Sequence, residues 1–175
     1  MNTFIGANTR LTYDLYNGLT NSTAIGYDTL VYASNQVEIG NMEVTQIGGA
    51  VSWSNFSDIR TKKDIEDIGY GLDFITALRP VQFRMKKGDG RTDFGFIAQD
   101  IEALLGANYS VLGIGGDKDR TLSLRYTDFI APMVKALQEQ QAIIEAQKED
   151  IRSQKEKVKE LATRLSRLEA LIKAR

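Results

Sequence analysis

Toward the end of the chain, apolar residues recur seven apart: Ile130, Leu137, Ile144, Ile151, Val158, Leu165 and Ile172. With these at position a of a heptad, position d holds Met133, Gln140, Gln147, Gln154, Leu161 and Leu168. A strict seven-residue repeat keeps one seam of a helix facing a partner and winds the partners left-handedly. The pattern therefore predicts one long helix from about Thr127, in a coiled coil. Pro132, awkward inside a helix, is expected at its start, in the first turn. Such a seam left in water would be unstable, so partners are required. Three consecutive Gln at d weaken the seam, and the Leu at d in the last turns fits two strands on simple packing rules. The seam alone leaves the number of chains open.

Upstream, over residues 57–130, the pattern is mixed. Ile65, Ile68, Leu72, Ile75 and Leu78 recur at helical spacing, but Gly69 and Gly71 interrupt. The spacing predicts a helix over 71–78, stopped before Pro80. Val81, Phe83 and Met85 alternate with Gln82 and Arg84, a strand pattern. Lys87–Gly90 signals a turn. A second strand is expected over 93–98, a helix over 99–105 with Ile101, Leu104 and Leu105 on one face, and a third strand over 122–126. Gly113, Gly115 and Gly116 read as a loop. Phe83, Phe94, Phe96 and Tyr126 read as core.

The first 56 residues differ again. They are rich in Asn, Thr, Ser and Gly, carry no proline, and have Arg10, Asp14, Asp28, Glu38 and Glu43 as their only charges. Ile-Gly pairs recur at 5–6, 25–26, 39–40 and 47–48, separated by 20, 14 and 8 residues. Short strands ended by Gly at such intervals suggest a rolled or β-helical stack, each turn lying on the last. A loop-rich antiparallel β-domain is the alternative.

Composition narrows the chemistry. The chain has 175 residues, 42% of them apolar, and a net charge of -1. No apolar run approaches the roughly 20 residues of a membrane-spanning helix, and no signal-like stretch opens the chain. No basic block argues for nucleic acid or an anionic membrane. There is neither Cys nor His. Disulfides, thiol nucleophiles, thiolate or imidazole metal sites and a Ser-His-Asp triad are thereby excluded. No cofactor or metal is expected. Any catalysis must rest on Ser, Thr, Lys, Tyr or carboxylates. The glycines at 113–116 lack the Gly-Lys-Ser/Thr ending of a phosphate-binding loop.

Two resemblances sharpen this picture. The runs Asn21–Gly26 and Ala33–Asn41 resemble the head repeats of trimeric autotransporter adhesins, and the β-rich segments that precede chaperone domains in tail-fibre proteins. The segments Asn55–Ile65, Leu78–Phe83, Phe94–Glu102 and Leu124–Tyr126, in that order and ending in a coiled coil, resemble the C-terminal intramolecular chaperone domain of phage endosialidases, tailspikes and neck appendages. The peptidase domain of the myelin regulatory factor belongs to that family too. The resemblance covers about residues 53–145.

It implies a domain that trimerises the fibre before it and then cuts itself off with a Ser-Lys dyad. Here those positions are Ser57 and Lys62, with the cut at the Ser57–Asp58 junction. A serine hydroxyl needs a base to take its proton. A lysine serves as that base where burial or a nearby cation disfavours its charged form, and Arg60 and Lys63 are adjacent. Burial of Lys62 on assembly would make cleavage wait for folding. A blander view treats Ser57-Asp58 as a helix N-cap and Lys62-Lys63 as solvated surface. Two positions depart from the family pattern. Asp93 stands where many relatives have His, and Asp64 where they often have Asn. Gln99 is a candidate oxyanion donor, or simply a polar residue at a helix start.

The expectation is thus an α+β homotrimer. It has a β-rich stalk over 1–56, a chaperone and self-cleaving domain over 57–130, and a coiled-coil helix over 131–175. Its partners are further copies of itself and the preceding fibre segment of the same chain, with no nucleic acid and no membrane insertion. Its setting is a phage virion tail fibre or a bacterial surface fibre, with the chaperone acting in the host cytoplasm during assembly. The rivals are a non-cleaving structural trimeriser and an adhesin segment that binds a receptor or glycan. For the adhesin, the β-region offers no concentrated aromatic or charged cluster.

Overall fold

The computed structural model describes residues 1–12 and 18–174. It is a mixed α+β chain with small sheets and one long C-terminal helix. Among the described residues, no helix is long and apolar enough to cross a membrane. Residues 13–17, inside the predicted β-rich stretch, lie outside the described part. The chain divides into two compact units: Met1–Asp67 with Ala77–Phe129, and Ile68–Thr76 with Ile130–Arg175.

The first unit opens with five short strands: β1 (Asn2–Ile5), β2 (Arg10–Leu11), β3 (Ser22–Ile25), β4 (Leu30–Val31) and β5 (Val37–Ile39). They form two parallel sheets, in the orders β1-β3-β5 and β2-β4. The antiparallel alternative is therefore overturned. Ile5 pairs with Ile25 and Ile25 with Ile39, so the register follows the 20- and 14-residue spacing of the Ile-Gly pairs. The fourth pair, Ile47-Gly48, forms no strand. The glycine after each isoleucine has positive φ, at +124°, +131° and +81° for Gly6, Gly26 and Gly40. A Cβ on Gly6 would lie 1.9 Å from the Gly26 carbonyl oxygen. Only glycine lets the backbone after these paired strands approach this closely. Alternate residues of β3 point inward: Ser22 and Ala24 are buried, with Thr29 and Val31 beside them. The Ser22 hydroxyl donates to the Ala33 carbonyl at 2.9 Å, which satisfies it inside the stack. Arg10 pairs with Asp28 at 2.7 Å across two turns.

The rest of this unit holds two antiparallel hairpins and a helix. Strands β6 (Val81–Phe83) and β7 (Asp93–Gly95) pair around the predicted turn, and α2 spans Ala98–Leu105. Strands β8 (Leu112–Ile114) and β9 (Leu122–Leu124) form the second hairpin. The glycine loop expected at 113–116 is thus partly strand. Gly113 faces Ser123, and a Cβ there would come within 2.3 Å of the Ser123 hydroxyl. Glycine serves close cross-strand approach here, not a loop. The Gly116 amide donates to the Tyr32 carbonyl at 2.9 Å and ties this hairpin to the β-rich part. Ile101, Val111, Leu112 and Phe129 make the core.

Two aromatic expectations need correction. Phe96 does pack against Tyr126 and Phe129, with ring centroids 6.1 and 5.1 Å away, and Phe83 is half-buried. Tyr126, however, is 48% exposed and Phe94 is 82% exposed. Phe94 pairs with the exposed Gln82, on the hairpin face opposite the half-buried Val81, Phe83 and Gly95, because strand residues alternate sides. A two-stranded hairpin has no second layer to cover that face.

Helix α1 spans Leu72–Ala77, all but its last residue in the second unit, where α3 runs for 44 residues, Ile130–Lys173. A 3-10 turn, Tyr126–Phe129, precedes α3 in sequence. Pro132 is the third helical residue rather than the first. The first four helical N–H groups have no acceptor within the helix, so the imino ring costs nothing there. The Glu139 carboxylate accepts the Leu72 N–H at 2.7 Å and so caps α1. A Cβ on Gly71 would lie 2.1 Å from that carboxylate, which explains the glycine that interrupts the apolar pattern. Every a-position side chain of α3, from Ile130 to Ile172, is exposed.

Candidate active site

Residues 42–69 are exposed throughout and carry little regular structure. One compact element interrupts them, a 3-10 turn over Ile59–Thr61 with Asp58 as its N-cap. Asp58 is a natural cap because its short carboxylate reaches amides just ahead of it. It accepts the Arg60 N–H at 2.9 Å and holds the Arg60 guanidinium at 3.0 and 2.6 Å. These bonds from Arg60 keep the Asp58 carboxyl below its usual range. The same contact raises Arg60. The Asp58 carbonyl accepts the Thr61 hydroxyl at 2.7 Å and the Thr61 N–H at 3.0 Å. The Lys62 N–H donates to the Ile59 carbonyl at 3.1 Å and closes the turn.

That closure brings Lys62 back over Ser57. Lys62 Nζ donates to Ser57 Oγ at 2.9 Å. Both side chains are exposed in the single chain. The bland expectation of a Ser-Asp cap is met in the same turn, with Asp58 capping and Ser57 left to contact Lys62. The cations expected to bear on Lys62 have carboxylate neighbours of their own. Arg60 is engaged by Asp58, and Lys63 Nζ lies 4.0 Å from Asp64. Nucleophile and base within hydrogen-bond reach is the arrangement that acyl transfer by a serine requires.

Residues 57–108 match the family described as the chaperone of endosialidase. The matched stretch begins at Ser57 and ends just after α2, covering less than a third of the 175 residues. No curated protein and no solved structure matches the chain. The match covers three of the motifs quoted above: Asn55–Ile65 from its third residue on, Leu78–Phe83 and Phe94–Glu102. The matched segment is similar to that family.

Within the matched segment, the remaining candidates sit on other elements. Asp93 opens β7 opposite Phe83 and is exposed. Gln99 is exposed in the first turn of α2. Hydrogen bonds join Ser57 to Lys62, and Arg60 and Thr61 to Asp58, whereas Asp93 and Gln99 stand apart in sequence and element. Asp64 has φ +52°, a left-handed conformation that Asn and Asp tolerate best. This accounts physically for Asp at a position where Asn is usual. What sequence reasoning missed is the bidentate Asp58–Arg60 contact. The i, i+2 spacing of an acid and an arginine was its only signal. Among the described residues, no group of three or more His, Cys, Asp or Glu side chains is placed to hold a metal ion.

Proposed function

We propose that this chain is an intramolecular chaperone: it gathers three copies of a fibre, aligns their β-rich segments and then cuts itself at the Ser57–Asp58 junction. The three-part division at 1–56, 57–130 and 131–175 belongs to this reading, with the first part as a rolled or β-helical stalk. The observation that carries the chemistry is the 2.9 Å contact between Lys62 Nζ and Ser57 Oγ at the start of the matched segment. The unpartnered a positions of α3 support self-association. Joining chains first lowers the entropy cost of winding their β-segments together.

For cleavage, Lys62 must be neutral, so its ammonium first gives up a proton to solvent. The amine then takes the Ser57 hydroxyl proton as Oγ bonds to the scissile carbonyl carbon. The C–N bond breaks, and the proton passes from Lys62 to the leaving nitrogen. Water then hydrolyses the ester and restores the hydroxyl. Assembly that buries the exposed pair would disfavour the ammonium and so tie cleavage to folding. Gln99 is a candidate donor to the oxyanion, and Asp93 the first position to exchange if cutting is slow. The setting of this reading is a phage tail fibre or a bacterial surface fibre, assembled in the host cytoplasm.

The test is intact mass of the purified protein over several days at physiological temperature, beside Ser57→Ala. Two fragments meeting next to Ser57, absent from the variant, support the reading. One uncut mass in both favours a second reading, a permanent trimerisation foot with the same fold. The exposure of Ser57 and Lys62 in the single chain is the observation on that side.

A further inference from the structure

Lys62 lies five residues after Ser57, and in extended form such a stretch spans roughly 17 Å. The pair meets at 2.9 Å only because the chain between folds into one turn. Nothing buried holds that turn, since residues 57–63 are all exposed. Two side chains do. Arg60 grips the Asp58 carboxylate through Nε and Nη2, at 3.0 and 2.6 Å. Thr61 holds the Asp58 carbonyl through Oγ1 at 2.7 Å, a second bond beside its own amide. Both bonds converge on the residue that follows the nucleophile, so they fix its backbone against the rest of the turn.

We propose that Arg60 and Thr61 are positioning residues for the self-cleavage. Together they clamp Asp58 so that Lys62 returns to Ser57. The proposal rests on the Ser-Lys reading given above. Neither side chain reaches the reacting atoms. Arg60 is spent on Asp58, so it acts through geometry and not as a cation beside Lys62. Exposed ion pairs and hydrogen bonds are individually weak, so the clamp biases the turn and does not lock it. The expected effects are correspondingly moderate. Loss of one arm slows cleavage about 3- to 10-fold.

The experiment follows first-order appearance of the fragments in the full chain for the native protein, Arg60→Gln, Thr61→Val, Thr61→Ser and Ser57→Ala. Melting temperature and oligomer mass are measured on each. The proposal expects Arg60→Gln and Thr61→Val to cut 3- to 10-fold more slowly with melting and oligomer mass unchanged, and Thr61→Ser to cut at nearly the native rate. Native-like rates in both slow candidates overturn the clamp while leaving the Ser-Lys reading intact. Slowing matched by lost oligomer, or no rescue by serine, shows a merely structural role and also overturns it. An uncut native chain overturns the Ser-Lys reading itself, and this role with it.

Discussion

At the scale of single residues, glycines and caps explain where the chain obeys its pattern and where it departs. Gly6 is the sharpest case. Its φ of +124° is strained for any side chain, and an added Cβ meets a backbone oxygen that cannot swing away. Gly6→Ala is expected to cost on the order of 2–3 kcal/mol, read as a drop in the melting temperature of the β-rich part. Ser57 and Lys62 were legible as candidates only through family resemblance, since a serine five residues before a lysine is unremarkable by itself. What makes them neighbours is the Asp58 cap, and capping was legible from the Ser-Asp pair. Phe94 was misread as core because its apolarity says nothing about which face of a hairpin has a covering layer.

At the scale of elements, periodic patterns were readable and short-range exceptions were not. The expected helices over 71–78 and 99–105 appear as Leu72–Ala77 and Ala98–Leu105. The Ile-Gly spacing gave the parallel register of β1, β3 and β5 for three of its four pairs. Strand β8 was hidden because Gly113 looks like a turn residue until Ser123 is seen opposite. Strand β5 also carries a titrating group. Burial raises the Glu38 carboxyl above its usual range, while its oxygen accepts the Gln36 amide at 2.6 Å. The folded chain therefore holds this proton to higher pH than the unfolded chain does. Its contribution to stability falls as pH rises through that window. Glu38→Gln removes the ionisation and keeps an acceptor for Gln36. Thermal melts should show the variant more stable than the native protein at neutral pH, with the difference closing as pH falls through the carboxylate range. An equal difference at every pH would mean that ionisation is not the cause.

At the scale of the whole molecule, exposed apolar side chains decide how the chain associates. The a positions of α3, from Ile130 to Ile172, are all exposed, and burial of such a seam is worth about 25 cal/mol per Å². Ile151→Asp puts a charge in the middle of the seam. Sedimentation of this variant at micromolar concentration should show a shift from oligomer toward single chains, whereas Gln138→Asp, off the seam, should sediment like the native protein. If Ile151→Asp leaves the mass unchanged, the seam is not the interface. The heptad was the most readable feature of the sequence because it repeats over six intervals. The number of chains was not readable, because the Gln layers at d obscure the packing preference.

The exposed stretch ahead of Ser57 carries two aromatic side chains. Trp53 is the chain's single tryptophan, lies four residues before Ser57 and is 82% exposed, with Phe56 beyond it at 99%. An indole in water emits far to the red, and one moved into a dry contact emits toward the blue. The protein thus carries its own optical label at the one place where assembly, burial of the dyad and release of the fibre would meet. A single emission spectrum, followed in time, would separate the moment of covering from the moment of scission.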